Sequence, residues 1–117
     1  MANSGLFIGW GEVVRGRERR ALEVFNESVQ YYADLQNQGE IESFEVVLLE
    51  PHGGDLQGFV LLRGDSERLA RLRVDREFQR RVSRAALVID KAGVVGALLG
   101  DRLTEGMADY QQEIGQL

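Results

Sequence analysis

His52 is the one histidine of this 117-residue sequence, and the only side chain type here that changes charge near neutral pH unaided. It stands in the run Pro51-His52-Gly53-Gly54-Asp55, with Glu50 close by. In that position it can serve as a general base or as a hydrogen-bond partner for a substrate. It can equally be a solvated turn residue, because loop tips face water. Glu12 is the second candidate acid or base. It follows Trp10 by two residues, so in a strand the two share a face. Burial beside the indole would raise its pKa and suit it to proton transfer. A strand end emerging into water, or an arginine alongside, would leave it an ordinary carboxylate.

Four residues are candidates for holding a ligand. Trp10 carries a flat apolar surface and an N–H that needs a partner when buried, features that suit a core as well as a ligand platform. Tyr31 and Tyr32 are adjacent on a helical pattern and cannot both face the core. Tyr32, on the apolar stripe, could line a cavity with its hydroxyl. Arg63 ends an apolar run and could hold an anionic group. Asp75 stands at a break in a helical pattern. Gly9 and Gly11 fall on the face opposite Trp10, where a missing side chain lets a helix or a ligand approach.

Much chemistry is excluded. With no cysteine, disulfides and thiolate metal sites are impossible, and one histidine gives at most one imidazole ligand. No metal or cofactor is expected. The sequence carries no phosphate loop and no nucleophile elbow, and Gly9-Trp10-Gly11 lacks dinucleotide-fingerprint spacing. A net charge of −5 argues against a nucleic-acid partner. The charge is uneven: residues 63–84 hold eight arginines against four acids. Arg73, Arg76, Arg80 and Arg84 follow helical spacing, with Arg81 off the stripe. They read as a site for an acidic partner, or as a solvated face paired with Glu77 and Asp75. No aromatic residue is interleaved with them, as single-stranded nucleic acid would require.

The length and an apolar fraction of 44% fit one globular domain over residues 1–117, with a core at 5–100. No apolar run reaches the ~20 residues of a membrane span, and Met1–Gly5 does not look like a signal peptide. A cytoplasmic protein is expected. Gly5–Val14 reads as a first strand. Leu22, Phe25, Val29, Tyr32 and Leu35 recur at helical spacing, predicting a helix over 17–38 that stops at Gly39. Ile41–Glu50 and Gly58–Arg63 flank the glycine-rich turn and predict an antiparallel hairpin. A second helix starts at Asp65 or Ser66 and is recapped at Asp75. Gly93–Leu99 is the fourth strand, and residues 102–117 form an amphipathic helix. The order is βαββαβ, the split βαβ plan, which places both main helices on one face of a four-stranded antiparallel sheet.

These strands are apolar on both sides. Leu6, Ile8 and Trp10 alternate with Phe7 and Val13, Phe44 and Val46 with Val47 and Leu49, and Phe59 and Leu61 with Val60 and Leu62. A bare sheet face of this kind marks an interaction surface. A homodimer through stacked sheet faces covers it. The alternative cover is the C-terminal helix folded back over the sheet.

On this plan, residues 5–99 resemble the dimeric α+β barrel superfamily, which includes antibiotic-biosynthesis monooxygenases, stress-responsive barrel proteins, muconolactone isomerases and YCII-related proteins. Val74-Asp75-Arg76-Glu77-Phe78 is similar to the acidic-proline-x-phenylalanine break of these families, with arginine in place of proline. Asp75 matches the Asp of YCII-related proteins, whose partner histidine on the first strand has no counterpart here. The histidine of the haem-degrading branch is also missing. The resemblance implies a ferredoxin-like dimer. Three functions are then open: binding of a small apolar or aromatic molecule between sheet and helices, cofactor-independent oxygenase or isomerase chemistry, and a structural role through the basic helix.

Overall fold

The computed structural model describes residues 2–117. Its elements are β1 (Ser4–Trp10), α1 (Glu18–Asn37), β2 (Ser43–Leu48), β3 (Gly58–Gly64), α2 (Ser66–Val74), α3 (Arg76–Ala86), β4 (Gly93–Leu98) and α4 (Gly100–Gln116). The strands form one sheet in the order β2-β3-β1-β4, and every neighbouring pair is antiparallel. This is the ferredoxin-like arrangement with an added C-terminal helix.

Period two assigns the two sheet faces. Leu6 lies opposite Leu62, Ile8 opposite Val60, and Phe44 opposite Leu62. These side chains meet Tyr32 and Leu35 of α1, Leu69 and Leu72 of α2 and Phe78 of α3 in the main core. Phe7, Val47, Phe59, Leu61 and Val95 project from the opposite face. There Phe7 stacks on Phe59 with ring centroids 4.9 Å apart. The side chain missing at Gly9 makes room on this open face, where a Cβ would lie 2.7 Å from Phe7 Cε1. On that side the space is taken by the side chains of Phe7 and Leu56, while Gly9 also lines the gap between sheet and helices.

β1 ends earlier than its composition suggests. After Trp10 the chain leaves β3 and runs beside residues 88–90. Gly11 N–H donates to Asp90 O at 2.8 Å, Asp90 N–H donates to Glu12 O at 2.8 Å, and Val13 bridges Ile89. Glu12 thus has a paired backbone and a side chain in solvent. The break at Asp75 is real: its backbone is extended (ψ 136°), and its carboxylate accepts a hydrogen bond from Phe78 N–H at 3.1 Å. Asp65 caps α2 in the same way through Arg68 N–H. Lys91, at φ 57°, takes the left-handed conformation in the turn before β4.

Leu62 is fully enclosed at the centre of the core. Leu62→Ala should lower unfolding free energy by ~2–5 kcal/mol, read from urea unfolding. Leu87→Ala, at a residue 64% exposed, should change it by no more than about 0.5 kcal/mol.

Candidate functional site

The helices do not press evenly on the sheet. The main core gathers around Leu62, Tyr32 and Phe78. A second, smaller cluster of Ala21, Val24 and Val88 joins the first half of α1 to the end of α3. Between the two clusters lies a cavity of about 370 Å³. Its floor is Ile8, Trp10 and Val60 from the sheet. One wall is Leu22, Phe25, Val29 and Tyr32 from α1, and the other is Arg81, Val82 and Ala85 from α3. The size falls within the range of roughly 300–1,000 Å³ typical of small-molecule sites.

Local sequence accounts for this shape. Residues 21, 24, 32 and 35 form the buried seam of α1, so the neighbouring positions 22, 25 and 29 overhang the gap. Leu22 is 61% exposed at its mouth. Trp10 lies opposite Gly58 in the register. A Cβ at Gly58 would sit 2.7 Å from Trp10 Cζ2, so the glycine lets the indole lie flat across the strand. The Trp10 ring then meets Phe25 edge-on, with centroids 6.2 Å apart.

The polar groups on this lining are few. Arg81 Nε donates to Glu77 Oε1 at 2.9 Å, and its guanidinium lies 4.9 Å from the centroid of the Tyr31 ring. This contact holds the charge at the cavity wall. Burial pushes the Tyr32 hydroxyl up to about 12, with Tyr31 adding to the effect. Tyr31 is raised to about 12 by burial, then by Asp75 and Glu77. Both phenols are protonated at neutral pH and can donate hydrogen bonds. Glu18 at the mouth is held below the usual carboxylate range by backbone N–H bonds, its own and that of Gly16. Ser28 Oγ is engaged with Val24 O at 2.8 Å.

Of the six residues singled out from sequence, Trp10 and Tyr32 meet in this cavity. The other four stand elsewhere. His52 is an exposed turn residue: Gly54 N–H donates to its Nδ1 at 3.1 Å, so Nε2 carries the proton toward Leu56 O at 2.6 Å. Both ring nitrogens brace the loop. His52 shares a polar basin of about 350 Å³ with Glu12, Asp55, Asp90 and Lys91. In that basin the Lys91–Asp55 pair (2.9 Å) lowers the Asp55 pKa and raises that of Lys91. Arg63 is on the open sheet face, 3.0 Å from Glu45 Oε1, with the whole sheet between it and the cavity. Asp75 caps α3. The arginine stripe disperses into local contacts, Arg84 with Glu27 at 3.0 Å, Arg80 with Glu77 at 3.9 Å, and Arg73 with Val94 O at 3.1 Å.

Arg81 and Glu18 were not among the candidates. A signal for Arg81 existed: three residues after Phe78 and four before Ala85, it shares their helix face. Glu18 gave none, because its place at the mouth depends on how the chain enters α1. Among the described residues, no group of three or more His, Asp or Glu side chains could hold a metal ion, and no helix is long and apolar enough to cross a membrane.

No protein-family model matches the chain, and no curated protein matches it. Solved structures do. A dimeric protein of unknown function and ferredoxin-like fold from Bacteroides fragilis superposes with a TM-score of 0.60 at 13% identity, over 82% of this chain and 96% of that one. A dimeric ferredoxin-like protein of unknown function from Jannaschia gives 0.58 at 14%, over 83% and 98%. SnoaB, a cofactor-independent oxygenase from Streptomyces nogalater, gives 0.53 at 15%, over 85% and 95%. The chain therefore has the ferredoxin-like fold of these proteins.

The capping geometry gives Asp75 a test. Asp75→Ala should cost ~0.5–2 kcal/mol in urea unfolding, and Asp75→Ser, which still offers an oxygen, should recover most of it. Equal losses in the two variants would remove the cap as the reason for the aspartate.

Proposed function

We propose that this protein binds a small apolar or aromatic molecule in the cavity between sheet and helices, and works as a homodimer through its open sheet faces. The observation that carries the binding reading is the cavity itself: an apolar chamber of about 370 Å³ with Trp10, Tyr32 and Arg81 converging on it. Apolar walls supply affinity, and the indole N–H, the phenol and the guanidinium supply orientation. The dimer reading is supported by the apolar open face, and by the description of the Bacteroides and Jannaschia proteins as dimeric.

A second reading, cofactor-independent oxygenase or isomerase, is favoured by one observation. The cavity holds a tryptophan, a tyrosine and a carboxylate together, on the fold of an oxygenase described as needing no cofactor. Its titratable lining groups are Glu18, Tyr32 and Arg81. They favour positioning and hydrogen-bond donation over proton abstraction, so a substrate of this reading must ionise readily by itself.

Trp10 is the only tryptophan, which makes it a reporter. The probe 1-anilinonaphthalene-8-sulfonate should show saturable energy transfer from Trp10. Ala85→Phe, which projects a ring into the cavity, should weaken that transfer at least tenfold while far-ultraviolet circular dichroism stays unchanged. Transfer undiminished in that variant would sink the cavity as the site. For the dimer, Val47 on the open face is the probe position. Val47→Lys should bring the sedimentation mass from two chains to one, and a variant that keeps two-chain mass would count against sheet stacking.

A further inference from the structure

The C-terminal helix is the one element that finds no place in the core. None of its residues is buried. Leu103, Met107, Tyr110, Ile114 and Leu117 are 49%, 56%, 62%, 54% and 105% exposed. α4 touches the domain at its start, where Gly106 lies against Leu98; a Cβ at 106 would come 2.8 Å from Leu98 Cδ1. The radius of gyration, 16.0 Å, exceeds the roughly 13 Å of a compact domain this size, as a projecting helix of about 25 Å requires.

The stripe has a specific period. Its spacings are four, three, four and three residues, a narrow heptad seam rather than the broad apolar face of a helix laid on a sheet. A seam of that form fits another helix with the same seam. Its flanking positions are Thr104, Gly106, Gln111 and Glu113, which carry a single charge. The other acids, Asp101, Glu105 and Asp109, are turned away from the seam. A basic partner would call for acids along the flanks, whereas a second α4 meets no like-charge repulsion there. Two heptads are too short to pair alone. They suffice when a second contact raises the effective concentration, and the open sheet face offers one. A standard interface takes roughly 800 Å² from each partner. The open sheet face offers the half-buried Phe7, Val47, Phe59 and Leu61 and the more exposed Val95, and the α4 stripe adds five apolar side chains that are each about half exposed or more.

We infer that α4 is a dimerisation arm whose stripe pairs with the α4 of a second copy of this chain, in the same assembly that stacks the sheets. The inference rests on the dimer reading above. Tyr110 is the middle of the stripe, so a parallel or an antiparallel pair brings the two copies of this residue together. The chain has no cysteine, so Tyr110→Cys places a single thiol at that point, and Gln112→Cys places one on the far side of the helix.

With copper–phenanthroline as oxidant, Tyr110→Cys should give a covalent two-chain species of two-chain native mass, in at least tenfold higher yield than Gln112→Cys. The double substitution Met107→Glu/Ile114→Glu, added to Tyr110→Cys, should abolish the link. Equal yields at 110 and 112, or an oxidised native mass of four chains, would overturn the inference. A two-chain native mass without linking at 110 would overturn it and leave sheet stacking intact. A two-chain mass that survives Val47→Lys would overturn sheet stacking and with it the inference, since two heptads do not pair alone. A native mass of one chain at all concentrations would overturn both.

Discussion

Leu6, Ile8 and Val60 meet a layer of helices, while Phe7, Phe59 and Leu61 on the other side of the same strands meet none. The rest of the molecule depends on this asymmetry. An antiparallel sheet covered on one side can face water on the other only if alternate residues are polar. Here the alternate residues are aromatic and aliphatic, and the main ionic contact on that face is the Glu45–Arg63 pair. Each apolar Å² left in water costs roughly 25 cal/mol relative to burial. The half-buried rings of Phe7 and Phe59 recover part of this by stacking on one another, and a second layer is needed for the remainder. Gly9 belongs to the same economy, since the space above it is taken by the Phe7 ring.

On the covered side, the break at Asp75 has consequences beyond a cap. A continuous helix from Ser66 onward would carry its apolar positions along one straight line. The extended residue at 75 lets α2 follow β1 while α3 turns toward α1. Leu69 and Leu72 then serve the main core. Ala85 and Val88 close on Ala21 and Val24 a little further along. Two packing centres joined by short side chains leave a gap between them, and that gap is the cavity. The sequence feature with the most influence on the site is thus a residue that does not touch it.

Elements were legible in the sequence to the extent that period and capping determine them. The element order, the hairpin at Gly53-Gly54 and the recapped helix follow from spacing. Period assigns a side chain to a face and says nothing of the distance between layers. This is why the α1 stripe Leu22, Phe25 and Val29 looked like core and instead lines a void. Glu12 was assigned to the Trp10 face by extending β1 to Val14, four residues past its end at Trp10; backbone bonds to Asp90 O and from Asp90 N–H redirect the chain there, and composition does not record them. His52 was conspicuous by its chemistry, yet the bonds that occupy both ring nitrogens are local turn geometry. Arg63 was correctly placed at a strand end, but on the parity opposite to Val60 and Leu62, which a period-two count could have excluded from the cavity.

The protonation states around the cavity constrain what it can do. Tyr32, pushed up to about 12 by burial, keeps its proton and offers a donor, while Tyr31, also raised to about 12, lies against Arg81 and not in the lining. Glu18 is stabilised as an anion by backbone N–H groups, which makes it a weaker base than a free carboxylate. Arg81 is permanently charged and already shared between Glu77 and the Tyr31 ring, so a ligand that engages it must compete with those contacts. Donors and a fixed cation in an apolar chamber favour an oxygen-bearing acceptor group on an otherwise apolar molecule, and favour its ionised form over its neutral one. Such a lining can bind and orient without reacting. Were such a lining to promote a reaction, it would do so by stabilising negative charge that the ligand itself develops, a contribution from preorganised donors rather than from a catalytic base.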